Sequence, residues 1–469
     1  MIGIPLRCYE NVSDGYHVLK VEKEMAETKW TNEQWEAITA EGCSLLVAAA
    51  AGAGKTAVLV ERIIRKITDK VNPVDIDRLL VVTFTNAAAT EMRERIAEAI
   101  SAVLENNPEN INIQRQLVLL NKANITTIHS FCLEVIRSNF QKIDIDPGFR
   151  ITDETEAMLM KMEVLDELFE KLYEEEAKNR DFFELLECYG GNRDDQAIQD
   201  MVLDLYTFIQ SDPWPEKWLA EMIEELRNRE GRDFGATPWG EVLLDAVSLE
   251  LEGLEENMKR AIEIIQTAPG LDKYLFVFSE ELALIRKIQG LCLAENATKW
   301  DDLYREFQNL GFSRLPAAGK ETDQVKRENV KNIRDDVKKS LNRIKERIFS
   351  ADSEEVFQDL QTLDPLMQCL ARLVKEFGKR YALKKNDKAV VDFNDLEHFC
   401  LGILTEQGEE GRVVASQVAL GYKERYAEIL VDEYQDSNLV QEIIIKMISK
   451  ADSEKPNVFM VGDVKQSIY

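Results

Sequence analysis

Five short apolar runs recur along the chain, each followed by a polar or aromatic cluster. They are Ser44-Leu45-Leu46-Val47, Arg78-Leu79-Leu80-Val81-Val82-Thr83, Asn124-Ile125-Thr126-Thr127, Glu428-Ile429-Leu430-Val431 and Asn457-Val458-Phe459-Met460-Val461. Their length and continuous apolar character predict strands covered on both faces, as in a parallel sheet flanked by helices. Helical spacing follows the first two: Ala57-Val58-Leu59-Val60-Glu61-Arg62-Ile63-Ile64, then Met92, Ile96, Ala99, Ile100 and Val103 on one face with Glu91, Arg93, Glu94 and Arg95 off it. Ligands bind an open parallel α/β sheet at the carboxyl ends of its strands. The five clusters therefore converge on one edge.

Between the third and fourth runs lie nearly three hundred residues with helical periodicity and little strand character. The acidic segment 154–176 puts Leu165, Leu168, Phe169 and Leu172 on one face. Segment 326–347 carries the stripe Val330, Ile333, Val337, Leu341, Ile344 and Ile348, with Lys331, Arg334, Lys338 and Lys345 largely together. That basic side fits a solvated face or a phosphate-contacting one equally well. The pattern divides the chain into a sheet domain (29–146 and 387–469) and an inserted helical domain (147–386). Residues 1–28 form an extension without an assigned role.

Composition narrows the function classes. Hydrophobic residues make up 45% and charged residues 31%, and no apolar run is long enough to span a bilayer. The opening residues do not form a basic region followed by an apolar core, so the expected location is cytoplasmic, with no membrane partner. Seven cysteines are scattered without a C-x-x-C pair, as buried thiols are. The net charge of −28 repels polyanions, so any nucleic-acid contact must come from local basic or aromatic patches.

The chemistry gathers at the strand ends. Residues 49–56, Ala49-Ala50-Ala51-Gly52-Ala53-Gly54-Lys55-Thr56, stand between a strand and a helix start and read as a phosphate-binding loop, although Ala49 occupies the usual first glycine. Its backbone would approach a polyphosphate, Lys55 would reach the β/γ-phosphates and Thr56 would ligate Mg²⁺. Upstream, Gln34 completes a capping box with Thr31 and also has the donor and acceptor to read an adenine edge. Asp432 and Glu433 directly follow a buried strand: one carboxylate would hold the metal, the next would activate water. Gln435 and Gln466 would sense the γ-phosphate. Phe84, His129 and Tyr469 suit stacking on unpaired bases, and a core role for Phe84 stays open. His129 has no second histidine or cysteine pair nearby in sequence and does not read as a metal ligand.

Gln34, residues 49–56, Thr83-Phe84-Thr85-Asn86, Thr127-Ile128-His129-Ser130, Asp432-Glu433-Tyr434-Gln435-Asp436 and residues 462–469 resemble motifs Q, I, Ia, Ib, II and III of the UvrD/Rep superfamily 1 DNA helicases. Within that family the chain is most similar to the N-terminal part of the helicase/nuclease AddA proteins of Firmicutes. The resemblance implies a RecA-like P-loop NTPase sheet, domain 1A, with an inserted helical domain 1B. It implies ATP and Mg²⁺ as cofactors, 3′ to 5′ translocation on single-stranded DNA, action at duplex ends, and an AddB-like partner in recombinational repair of double-strand breaks. Glu433, Lys55 and Gln466 become the catalytic residues, Thr56 and Asp432 the metal ligands, and Phe84, Thr85, Asn86, His129, Ser130 and Tyr469 the DNA contacts. Because the sequence stops inside motif III, the resemblance places a second RecA-like domain, its arginine fingers and a nuclease beyond it. A stand-alone UvrD-like helicase, and a nucleotide- and DNA-binding module without turnover, are the alternatives.

Overall fold

A computed structural model of the chain describes residues 30–463 except 50, 51, 144, 191–194, 228–232, 295–297, 320, 321 and 409–411. Ala50, Ala51, Gln466 and Tyr469, and the extension before residue 29, lie outside the described residues. In chain order the strands are β1 (Leu45–Ala48), β2 (Leu79–Thr83), β3 (Asn124–Thr127), β4 (Arg150–Ile151), β5 (Val390–Val391), β6 (Thr405–Gln407), β7 (Val413–Ala415), β8 (Glu428–Val431) and β9 (Val458–Gly462). The five apolar runs of the sequence pair in parallel into one sheet, in the order β1-β9-β8-β2-β3. The two strands from the end of the chain thus fill the middle of the sheet.

Contacts divide the chain into two units, one of Met1–Pro147 with Asp395–Tyr469 and one of Gly148–Asn394. In the first, β2 and β8 are buried throughout, as their continuous apolar pattern implies. β1 differs: it is an edge strand whose side chains alternate, with Leu45 and Val47 packed inward and Leu46 exposed. The core joins Leu59, Ile63 and Ile67 of the helix Lys55–Thr68, Ile96 and Ile100 of the helix Asn86–Asn106, and Leu430, Phe459 and Val461 of the sheet. Helices on a parallel sheet hold the strand ends rigid, and those ends carry the candidate site.

The second unit is helical and has two cores. One gathers the helices Pro238–Thr267, Leu275–Cys292, Lys299–Gln308 and Gln324–Arg347 around Trp300, Phe307 and Phe349. The other gathers Glu154–Glu174, Arg180–Tyr189 and Gln196–Ile209 around Phe182, Phe377 and Tyr381. The 35-residue helix Ser353–Asp387 belongs to both: Val356, Phe357 and Leu360 pack on the first core, and residues from Leu366 to Tyr381 on the second. Pro365, which removes a helical hydrogen bond, lies where the helix passes from one core to the other. The short strand β5 pairs with β4 inside this unit, so the chain returns to the sheet unit at Asp395, later than the 386/387 boundary read from the sequence.

The basic side of the helix Gln324–Arg347 is partly internal. Arg334 is buried, with its guanidinium forked onto Glu281 and also donating to the Ser313 carbonyl (2.6 Å). It is therefore committed to the core and withdrawn from any phosphate. Lys338 rests over the Phe312 ring at 4.8 Å, and burial lowers its pKa.

Candidate nucleotide and nucleic-acid site

The loop after β1 is anchored at both ends. The Ala49 N–H donates to the Gly462 carbonyl at the end of β9 (3.0 Å), and Gln34 Nε2 donates to the Ala53 carbonyl (2.9 Å). Gln34 Oε1 meanwhile accepts from the Thr31 N–H (3.0 Å), completing the capping box of the helix Asn32–Thr39. The cap reading and the proximity to the loop thus both hold, and in this state the Gln34 amide is spent on the protein itself. Gly52 and Gly54 both have φ +76°, a left-handed conformation disfavoured for residues with a Cβ. Gly54 caps the helix Lys55–Thr68 without a side-chain bond, so no cap competes with an anion for the first-turn N–H groups.

The carboxylates arrive from β8, two strands away, a span of roughly 9–10 Å. The Asp432 N–H extends the ladder to the Val82 carbonyl (2.9 Å). Glu433 then turns off the sheet with φ 53° and ψ 47°. Such a conformation costs a non-glycine residue roughly 1–3 kcal/mol, strain that clusters at functional sites. It delivers Glu433 Oε2 to Lys55 Nζ at 2.9 Å. Gln435 Nε2 donates to the same oxygen (2.9 Å), while Gln435 Oε1 accepts from the Asp463 N–H (2.8 Å), so one amide ties β8 to β9. A Cβ at Gly462 would meet that Oε1 at 2.7 Å, which is why glycine stands there.

The two adjacent acids are pushed in opposite directions. Burial, and then the charge of Glu433, raises Asp432 above the usual carboxylate range. Burial also raises Glu433, but the hydrogen bonds from Lys55 and Gln435 outweigh it and leave its pKa lowered. A divalent cation beside Asp432 would relieve the unfavourable charge there. Thr56, in the first helical turn, has a hydroxyl with no hydrogen bond to a described residue. Mg²⁺ is ordinarily held by one or two protein oxygens plus substrate phosphates, so the pair fits that ion, and no denser cluster of metal-binding side chains occurs among the described residues.

The other strand ends share this edge. Phe84, 45% exposed, lines a pocket with Thr83, Ile128, Asp432, Glu433 and Tyr434. Thr85 caps the next helix by accepting from the Ala88 N–H (3.0 Å), and Asn86 is its first residue. Thr127 caps the helix Ile128–Asn139 and donates to the Ser130 hydroxyl (2.9 Å). His129 places Nε2 3.0 Å from Glu397 Oε1, so its partner is a carboxylate.

The sequence matches the model of the UvrD/REP helicase N-terminal domain over residues 30–469. The chain belongs to the UvrD/REP helicase family. It is 65% identical over 442 residues to the AddA protein of the ATP-dependent helicase/nuclease of Acetivibrio thermocellus, covering 94% of this chain and 35% of that protein. It is 60% identical over 445 residues to the same-named protein of Ruminiclostridium cellulolyticum, covering 95% and 36%, and 52% identical over 443 residues to that of Thermoanaerobacter pseudethanolicus, covering 94% and 35%. The chain thus spans about a third of the length of the curated relatives it matches.

Two features of this UvrD/REP helicase domain escape the sequence reading. Arg62, on the phosphate-loop helix, is buried: it donates to Glu428 Oε1 (3.2 and 2.7 Å) and to the carbonyls of Ala37 (2.8 Å), Ile38 (3.2 Å) and Ala40 (2.7 Å), and lies over the Phe459 ring at 4.6 Å. One guanidinium thereby fixes the phosphate helix to the helix before it, to β8 and to β9. The available signal was its place in the apolar stripe, four residues after Val58 and three after Leu59. Glu397, in the helix Phe393–Leu404, is the second; its place on the buried side with Cys400 and Leu401 was the corresponding signal.

Proposed function

We propose that this chain is the ATP-binding motor portion of a 3′ to 5′ DNA helicase of helicase/nuclease type, one that couples nucleotide hydrolysis to movement along single-stranded DNA during double-strand break repair. The observation that carries the reading is the Lys55–Glu433 contact at the mouth of the phosphate loop, beside a sheet edge bearing Phe84 and His129. ATP phosphates would draw Lys55 from Glu433, so substrate arrival itself would free the carboxylate to orient and deprotonate water. Thr56 and Asp432 would hold Mg²⁺, which would supply charge stabilisation at the transferring phosphoryl group. Gln435, held between Glu433 and Asp463, is placed to register that exchange, and Gln466 is assigned the same role by family resemblance.

Helicase/nuclease type, duplex-end substrates, a cytoplasmic location and an AddB-like partner are supported by the names and organisms of the similar proteins. A stand-alone helicase without nuclease is the alternative, and nuclease activity in the native protein distinguishes the two. A nucleotide- and DNA-binding module without turnover has one observation in its favour: the charges acting on Asp432 and Glu433 are each other, Lys55 and Asp463, with no arginine among them. Arginine fingers typically contribute about 10³–10⁵ in rate, so residues 1–469 alone are expected to bind ATP and hydrolyse it negligibly. Robust DNA-stimulated turnover by that polypeptide would show that an arginine within it completes the site.

Lys55→Ala tests the nucleotide assignment. It removes a charge-assisted contact of about 1.5–3 kcal/mol, so ATP affinity should fall roughly 10- to 150-fold in equilibrium titration with the circular dichroism spectrum unchanged. Equal affinity would sink the assignment. Phe84→Ala should weaken oligo(dT) binding at fixed salt by about 1–3 kcal/mol, the ordinary worth of one stacked base. Unchanged affinity would return Phe84 to a packing role.

A further inference from the structure

Glu397 is 2% exposed, yet it carries a carboxylate whose two oxygens face donors from two separate elements. Oε1 lies 3.0 Å from His129 Nε2 and accepts from Gln441 Nε2 at 2.7 Å, while Oε2 accepts from Asn438 Nδ2 at 2.9 Å. His129 opens the helix after β3. Asn438 and Gln441 open the helix Leu439–Ile448, which begins directly after the Asp432 and Glu433 segment. Asn438 is doubly employed, since its Oδ1 also accepts the Gln441 N–H (2.8 Å) as the cap of that helix. Just before it, the Ser437 hydroxyl donates to the Tyr434 carbonyl (2.7 Å), closing the turn that contains Gln435.

We infer that Glu397 is a positioning residue through which occupancy of the His129 edge by single-stranded DNA changes the turn that holds Glu433; the inference rests on the nucleotide and DNA reading proposed above. A buried carboxylate tolerates poorly the loss of a donor, because no water replaces it. His129 is the exposed member of the cluster, with about a third of its side chain accessible, and Asn438 and Gln441 are the members attached to the catalytic segment. If a bound base takes the His129 ring, Glu397 must draw the other two donors closer or rotate with them. Both responses act on the cap of the helix Leu439–Ile448, and through Ser437 and Tyr434 on Gln435, which donates to Glu433. Coupling of this kind is reciprocal, so nucleotide would alter DNA affinity by the same factor.

The test is the affinity of the 469-residue chain for a fluorescent ATP analogue, measured with and without saturating oligo(dT). In the wild type oligo(dT) should change that affinity about 5- to 150-fold, the usual range of coupling between sites. Glu397→Gln keeps the side chain's length, removes its charge and turns one acceptor into a donor. It should leave affinity in the absence of DNA within about twofold and reduce the coupling factor to below about twofold. A residue that merely supports the fold would lower the melting temperature and leave the factor unchanged, and that result would overturn the inference. If Glu397→Gln fails to fold, Gln441→Met decides, since it removes one donor from the cluster; a reduced factor supports the inference and an unchanged one overturns it. A wild type that binds both ligands without coupling also overturns it. A wild type that binds neither ligand overturns the functional reading instead.

Discussion

Glu433→Gln is expected to leave ATP bound and to slow turnover by about 10²–10⁴-fold in any form of the protein that hydrolyses ATP, the usual contribution of a positioned general base. Binding should be equal or tighter than in the wild type. In the absence of nucleotide Lys55 is held by Glu433 at 2.9 Å, and phosphates must compete for that ammonium. The neutral amide competes less. Equilibrium titration with ATP and steady-state turnover measured on the same preparation separate the two effects. Turnover within tenfold of the wild type would place the base elsewhere. The pH dependence carries the same signature: a carboxylate base works only when ionised, and Lys55 and Gln435 hold Glu433 low in the unliganded protein. The acid limb of kcat/KM, which reports the free enzyme, should therefore fall below the usual glutamate range. An acid limb above that range would belong to Asp432, raised by burial and by its neighbour's charge.

Arg62→Met should be the most damaging single change away from the chemistry. It strips the buried Glu428 of its bidentate partner and leaves three carbonyls around the end of the helix Asn32–Thr39 without their donor. Lys66 Nζ, 3.5 Å from the other Glu428 oxygen, offers only partial compensation. Removing one member of a buried pair typically costs about 3–5 kcal/mol. At roughly 2–4 °C per kcal/mol for a domain of this size, the melting temperature should drop by roughly 6–20 °C. Thermal unfolding followed by circular dichroism measures it, and adding Glu428→Gln to Arg62→Met should restore part of the loss. A drop of less than about 2 °C would mean that the pair holds nothing together.

The strands were legible because each is an apolar run whose neighbours in sequence are not, and the phosphate loop because its residue types have few other uses. The acids of β8 were legible because they follow a buried strand without a break. Arg62, Arg334 and Glu397 were not, for a common physical reason. Periodicity reports which face of a helix is buried, but a buried charge is defined by its partner, and these partners are distant: Glu428 lies 366 positions from Arg62, and Glu281 lies 53 from Arg334. Arg334 was grouped with Lys331 and Lys338 on a basic side, although it falls four residues after Val330 and three before Val337, within the apolar stripe. A charge inside such a stripe marks a buried pair before any partner is known. The exposed edge of β1 was missed because sheet order, which a single strand does not encode, decides which strands have two covered faces.

The order β1-β9-β8-β2-β3 also sets a timetable for the ribosome. β1 pairs only with β9, and β2 has β3 on one side but awaits β8 on the other. Some 300 residues separate β3 from β8. At the usual ~5–20 residues per second, that interval lasts about 15–60 s, during which the nascent β1 has no strand partner and β2 carries an open edge. The helical unit, whose contacts close within its own stretch of chain, can fold meanwhile, but the pocket for nucleotide cannot. Lys55 is among the first functional groups made, and Glu433, Gln435 and Gly462 are among the last, so a nascent chain gains its phosphate site only when β8 and β9 slide between strands that have been waiting for them.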